Sequence, residues 1–244
     1  MESVRLVVKD LVVGTRTFKV SNISFDIKNR DILGLVGRSG AGKSTLIKAI
    51  VGMKKPKSGT ITAYLNSKEI SLSEIKGYSP QGNALYPFLT LEENLMTFGK
   101  LHKMKKNEIN ERMDYLLKRL DLEESKKKRI NEFSGGMQKR ADLAATLIHS
   151  PRIIILDEPF TGLDIALQKF IWGLLKDLSK EGKIIIISSH ALGDIQKNCN
   201  EFGLIERGYY YGTEQVMKTI KSLKGESLEN YLERVFEMDL ISKE

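Results

Sequence analysis

The chain is poor in cysteine, proline and tryptophan and has no long apolar run. Cys199 is the single cysteine among 244 residues, which excludes an intrachain disulfide and points to a reducing cytoplasm. The five prolines, Pro56, Pro80, Pro87, Pro151 and Pro159, fall between candidate elements and not inside them. No apolar stretch approaches the roughly 18 residues of a membrane span. The longest are short runs such as Ile184–Ile187. The opening MESVRLVVKD lacks the charged-then-apolar plan of a secretory leader. With three scattered histidines and one cysteine, a zinc site is not expected. There is no internal repeat and no low-complexity tract.

What is present is the composition of a globular chain with ample length for a core, 41% hydrophobic and 29% charged. The formal charge of +8 comes largely from local runs: Lys54, Lys55 and Lys57; Lys103, Lys105 and Lys106; Lys126 to Arg129. Such runs read first as solvated loops, and second as contacts to acidic lipid or a partner's acidic loop. No nucleic-acid partner is expected.

The informative stretch is Ile32–Ala49, ILGLVGRSGAGKSTLIKA. A short apolar strand runs into Gly37, Arg38, Ser39, Gly40, Ala41 and Gly42, then into Lys43, Ser44, Thr45 and a helical pattern. This is G-x-x-x-x-G-K-S in the strand–loop–helix setting of a phosphate-binding loop. The glycines let the backbone wrap a phosphate with its N–H groups turned inward, and the helix start adds its positive dipole end. Lys43 can reach the β- and γ-phosphates, and the Ser44 hydroxyl can ligate Mg²⁺.

Strands are expected at Val4–Val13 and Val20–Ile27, with a turn at Lys28–Asp31, and again at Thr60–Leu65 and Gly77–Ser79. From Leu91 to about His149 the pattern turns helical and charge-rich, with Ile109, Met113, Leu116, Leu117 and Leu120 on one face. Alternation then returns: strand Ile153–Leu156, helix Ile165–Leu178, strand Ile184–Ile187, a short helix from Ala191, strand Phe202–Ile205. This rhythm predicts an α/β fold with a mostly parallel sheet. The expected organisation is an α/β core of residues 1–84 and 150–224 and a helical subdomain of 85–149. A C-terminal helix of 225–244 would follow, with Ser227 as its N-cap.

Several residues could carry chemistry. Asp157-Glu158 ends an apolar strand, beside a phosphate loop on a neighbouring parallel strand. Asp157 would hold Mg²⁺ and Glu158 would polarise an attacking water. The bland alternative is a strand-end helix cap. His190 ends a similar strand, where it could bond the γ-phosphate or hold the carboxylate and water. His102 and His149 receive no role. Gln81, at the seam between core and helical insert, can bond both Mg²⁺ and water. Ser134-Gly135-Gly136 opens a helix whose free N–H groups suit a second anion contact, though Ser-Gly-Gly also occurs in plain loops.

In order, GRSGAGKST, Gln81, FSGGM, IIILDEP, TGLD (Thr161–Asp164) and SSH at His190 resemble the ATP-binding cassette ATPases, over essentially the whole chain. The resemblance implies a P-loop NTPase core with an antiparallel β subdomain and an inserted α-helical subdomain. It implies ATP and Mg²⁺ as ligands, with Ser44, Gln81 and Asp157 toward the metal. Glu158 would be the base, and His190 the support for the γ-phosphate. Two such domains, identical or different, would face head to tail, one giving Lys43 and the other Ser134–Gly136, with Asp164 at the seam. A transmembrane permease on a separate chain would dock against the helical subdomain, placing this subunit at the cytoplasmic face of the membrane. The sequence departs from the family at Met137, usually Gln. It also lacks the aromatic residue before the phosphate loop that stacks on adenine: Leu11–Gly14 has none, Val13 stands at that place, and Phe18 is the substitute. Loss of a stack is worth about 1–3 kcal/mol.

Within the family, SLENYLERVF and LTLEENLMTFGKLH look like the ATPase subunits of ABC-2-type exporters. A soluble iron–sulfur-assembly ATPase is the alternative. Lys43 and Asp157 are 114 positions apart, too close for the inserted coiled coil of DNA-repair relatives. A GTPase would need Asn-Lys-x-Asp, which is absent. A small-molecule kinase would leave Ser134–Gly136 and Glu158 unexplained.

Overall fold

A computed structural model describes residues 2–222 and Asn230. The expected C-terminal helix of 225–244 lies outside the described residues, Asn230 apart.

The most apolar runs form the centre of the sheet. Strands β3 (Ile32–Val36), β7 (Ile153–Leu156) and β8 (Ile184–Ser189) are buried at every position. This is the signature of parallel strands covered on both faces. The sheet divides two cores with a period of two. Ile153, Ile155, Ile184 and Ile186 join the cluster that includes Leu46 and Ile47 of α1 (Lys43–Ile50). Ile154, Leu156, Ile185 and Ile187 join the cluster on the opposite face, with Leu95, Met113, Leu143, Leu175 and Ile195.

Among the described residues ten strands form the sheet, in the order β5-β4-β1-β2-β10-β9-β3-β8-β7-β6. The parallel part comprises β6 (Lys76–Ser79), β7, β8, β3 and β9 (Glu201–Glu206). β10 (Tyr209–Gly212) returns antiparallel to β9 and touches β2 (Lys19–Lys28). β1 (Val4–Gly14), β4 (Ser58–Leu65) and β5 (Lys68–Ile70) complete an antiparallel wing with β2. The fold is therefore the P-loop α/β core with an antiparallel β wing.

Between β6 and β7 the chain leaves the sheet as α3 (Leu91–Leu101), α4 (Lys106–Arg119) and α5 (Gly135–Leu147). Thr90 and Glu93 form a reciprocal capping box at the start of α3. Ile109, Met113, Leu116 and Leu117 form the buried face of α4. After β7 come α6 (Ile165–Lys180), then α7 (Leu192–Asn198) behind β8, and α8 (Thr213–Ser222) behind β10.

Two differences from expectation stand out. β5, β10 and the one-turn α2 (Leu72–Ile75) are absent from the sequence expectation because they are too short to carry a period, and the ten-residue, amphipathic α8 is absent from it as well. β7 is not the neighbour of β3, since β8 lies between them. His102 and His149, which received no role, stack on each other with ring centroids 3.5 Å apart. Burial and the neighbouring cations hold His149 neutral, its pKa lowered to about 4.

Tyr210 lies across β9, and a Cβ on Gly203 would meet its Cε2 at 2.4 Å. Gly203→Ala should therefore destabilise the fold by about 1–3 kcal/mol, measured as a lower midpoint in urea; an unchanged midpoint would show that Tyr210 can move aside at no cost.

Candidate functional site

The loop after β3 is shaped by close approach. Gly37 (φ 155°) leaves no room for a side chain, because a Cβ would meet the Ile205 carbonyl oxygen at 2.4 Å. Gly42, with φ of 112°, packs under Val20 and the ring of Phe18. Only glycine tolerates both constraints there. The loop, the start of α1 and the ends of β7 and β8 then enclose a cleft of ≈ 530 Å³. Its lining is Ser39, Gly40, Gly42, Lys43, Ser44 and Thr45 with Gln81, Glu158 and His190.

Lys43 is 4% exposed, and its ammonium is held by the loop itself. Nζ donates to the carbonyls of Gly37 at 2.7 Å and Arg38 at 3.2 Å, and pairs with Glu158 Oε1 at 3.4 Å. Arg38 also accepts from the Ala41 N–H at 3.1 Å, which closes the loop. Ser44 Oγ donates to Asp157 Oδ1 at 3.1 Å. Asp157 is itself buried, and it also accepts from Ser188 Oγ at 2.6 Å. The Glu158 backbone N–H donates to the same Ser188 oxygen at 2.8 Å. Glu158 sits in the left-handed region, φ 48°, a sparsely populated conformation for a non-glycine residue. That turn aims its carboxylate back toward the cleft, where Oε2 meets His190 Nδ1 at 3.2 Å and accepts from the Thr161 hydroxyl at 3.3 Å. Partial burial alone would raise the Glu158 pKa. Lys43 and His190 beside it outweigh that and hold it below the ordinary carboxylate value.

Ser188 was not singled out from the sequence, where only the serine-rich end of the strand before His190 could have marked it. Because β8 separates β3 from β7, its Ser188 bridges the gap and carries the acidic pair into line with the phosphate loop.

Ser134, Gly135, Gly136 and Asp164 lie elsewhere. The Ser134 hydroxyl accepts from the Met137 N–H at 3.3 Å and caps α5. Asp164 caps α6 through the Leu167 N–H at 2.8 Å. The two helix starts face each other, since a Cβ on Gly136 would meet Leu167 Cδ2 at 2.8 Å. None of the four lines the Lys43 cleft. Val13 is fully buried and cannot face a ligand, whereas Phe18 is 36% exposed.

Together these features define a phosphate-loop nucleotide-binding domain. Residues 20–161 match the family model described as ABC transporter. The linearmycin resistance ATP-binding protein LnrL of Bacillus subtilis is 38% identical over 192 residues, 78% of this chain and 62% of that protein. The Nod factor export ATP-binding protein I of Rhizobium leguminosarum bv. viciae is 36% identical over 193 residues, 78% of this chain and 62% of its own length. The ABC transporter ATP-binding protein NatA of Bacillus subtilis is 32% identical over 217 residues, 87% of this chain and 88% of its own. A solved ATP-binding subunit of an ABC transporter superposes with a TM-score of 0.81 at 28% identity, covering 93% of this chain and 98% of its own. The chain belongs to the ABC transporter family, as one of its ATP-binding domains.

Ser188→Ala should remove a donor from buried Asp157 and an acceptor from the Glu158 N–H. Urea unfolding should show a loss of about 1–3 kcal/mol, and an unaltered unfolding curve would dismiss the bridging role.

Proposed function

We propose that this chain is the ATP-hydrolysing subunit of an ABC exporter, working as a dimer at the cytoplasmic face of a membrane through a separate transmembrane permease. The observation that carries the hydrolysis step is Glu158, held between Lys43 and His190 at the mouth of the phosphate cleft. Lys43 and Glu158 neutralise each other across the cleft. A γ-phosphate that recruits Lys43 frees the Glu158 carboxylate to accept a proton from the attacking water. His190 holds the second carboxylate oxygen and fixes its direction. Ser44 and Asp157, 3.1 Å apart, fit Mg²⁺, which takes few protein ligands alongside phosphate oxygens and water. When bound, Mg²⁺ would offset phosphate charge, with Gln81 as a further ligand from across the cleft. The backbone N–H groups of Gly37 to Thr45 would hold the phosphates.

Phe18 is the proposed adenine seat. Its ring stands against the phosphate loop at Gly42, on a turn pinned by the Thr15 N–H to Phe18 carbonyl bond of 2.6 Å. Ser134–Gly136 and Asp164, remote from the chain's own cleft, are proposed to close the nucleotide site of a second ATP-binding subunit. The proposed organisation is one ATPase domain, with residues 85–149 as the helical subdomain.

Exposed Met53, Tyr86, Phe88 and Leu101 favour a hydrophobic partner docking near that subdomain. Among the described residues, no helix is long and apolar enough to cross a membrane. The export assignment draws on the named relatives and on the ABC-2-type resemblance.

Glu158→Gln should bind ATP normally, hydrolyse it roughly 10²–10⁴ more slowly and accumulate as an ATP-bound dimer; hydrolysis at the parent rate would remove Glu158 from its role. Phe18→Ala should weaken ATP binding by about 1–3 kcal/mol in calorimetry and narrow any preference for ATP over GTP; equal affinities in parent and variant would leave the base without this seat.

A further inference from the structure

The segment Ser79–Ala84 carries Gln81 between β6 and the first turn of the helical insert. Three of its residues are bonded to side chains of a single helix, α5. The Ser79 hydroxyl donates to Asp142 Oδ2, and the Ala84 N–H donates to Asp142 Oδ1 at 3.2 Å. Asn83 Nδ2 donates to Gln138 Oε1 at 3.1 Å. One carboxylate thus holds both ends of the segment, and with Asn83 tied to Gln138 only Pro80, Gln81 and Gly82 are left without a bond to α5 among these contacts.

This carboxylate is 1% exposed and Ser79 is fully buried. A buried charge persists only if it is paired and fully bonded. Lys139, one turn before Asp142, supplies the pairing: Nζ lies 3.7 Å from Asp142 Oδ2 and donates to Ser79 Oγ at 3.2 Å. Burial pulls the Lys139 amine below its ordinary value, and Asp142 pulls in the opposite direction.

The same contacts reach both other parts of the site. The Ser79 carbonyl accepts from the Asp157 N–H at 2.9 Å, so the anchor also abuts the proposed metal-side acid. Gln138 Nε2 donates to the carbonyls of Ile130 (3.4 Å) and Phe133 (3.2 Å), just ahead of the Ser134 cap. A hydrophobic contact would not impose such a geometry. Two directional bonds to one carboxylate fix where the backbone between them can go.

We propose that Asp142, charge-balanced by Lys139, is a positioning residue that sets Gln81 against the Mg²⁺ side of the nucleotide. Displacing α5 then displaces Gln81 and leaves the phosphate loop untouched. The proposal rests on the hydrolysis reading above, and it fails separately from it: a parent protein that does not hydrolyse ATP removes that reading, whereas the outcomes below concern the anchor.

The test uses the full chain with ATP and MgCl₂. Asp142→Asn keeps the shape and loses the charge; Lys139→Met keeps the stem and loses the ammonium, and carries the test if the first variant does not fold. In both, kcat should fall by about tenfold or more, and the Mg²⁺ concentration for half-maximal hydrolysis should rise severalfold. ATP affinity measured without Mg²⁺ should stay within about twofold of the parent, since the phosphate loop is intact. A structural role alone would lower the melting temperature without moving the Mg²⁺ requirement. A folded variant with the parent's Mg²⁺ requirement, or one whose Mg²⁺-free ATP affinity falls in step with kcat, overturns the proposal.

Discussion

The site depends on how one buried ammonium is satisfied. Lys43 lies at the start of α1, almost without solvent, where an unpaired charge would be expelled or neutralised. It persists because the loop that would bind phosphate turns two carbonyls onto it, and because Glu158 approaches from β7. These are weak holds compared with a phosphate's multiple negative oxygens. The cleft is thus arranged to exchange its internal partners for a ligand without leaving any charge buried alone.

That arrangement needs β8. With one strand inserted between the phosphate loop and the acidic pair, the two would be misaligned if nothing filled the space. Ser188, buried in β8, donates to Asp157 and accepts from Glu158, so the acidic pair is positioned from the strand beside the phosphate loop. The left-handed backbone at Glu158 completes the alignment, and the strain is local to the residue proposed to act as base.

The site is also open on one side. Ser134–Gly136 and Asp164 lie together outside the lining of the Lys43 cleft, with the Ser134 and Asp164 side chains each capping its own helix. Helix starts of this kind carry backbone N–H groups without intrahelical partners, and these are the groups proposed above to meet a second nucleotide. The α5 helix that begins at Ser134 also holds the Gln81 segment, through Gln138 and Asp142, so the Ser134 cap and that segment share one helix.

Much of this was legible in one dimension. The phosphate loop, with its strand and helix, is a local pattern, since backbone conformation and phosphate chemistry act over fewer than twenty consecutive residues. The apolar runs of β3, β7 and β8 and the amphipathic face of α4 are likewise local, because burial imposes its period directly on composition. The short strands β5 and β10 were not legible, as they are stabilised by pairing and not by their own composition.

The sequence by itself determined the family's motifs, the α/β alternation and the identity of the charged groups, because these depend on neighbouring residues alone. The tertiary structure decided the strand order, Ser188 as the bridge to the acidic pair, Phe18 and not buried Val13 beside the loop, and the Asp142 hold on the Gln81 segment. Each joins residues far apart along the chain, and only packing determines which distant donor meets which acceptor.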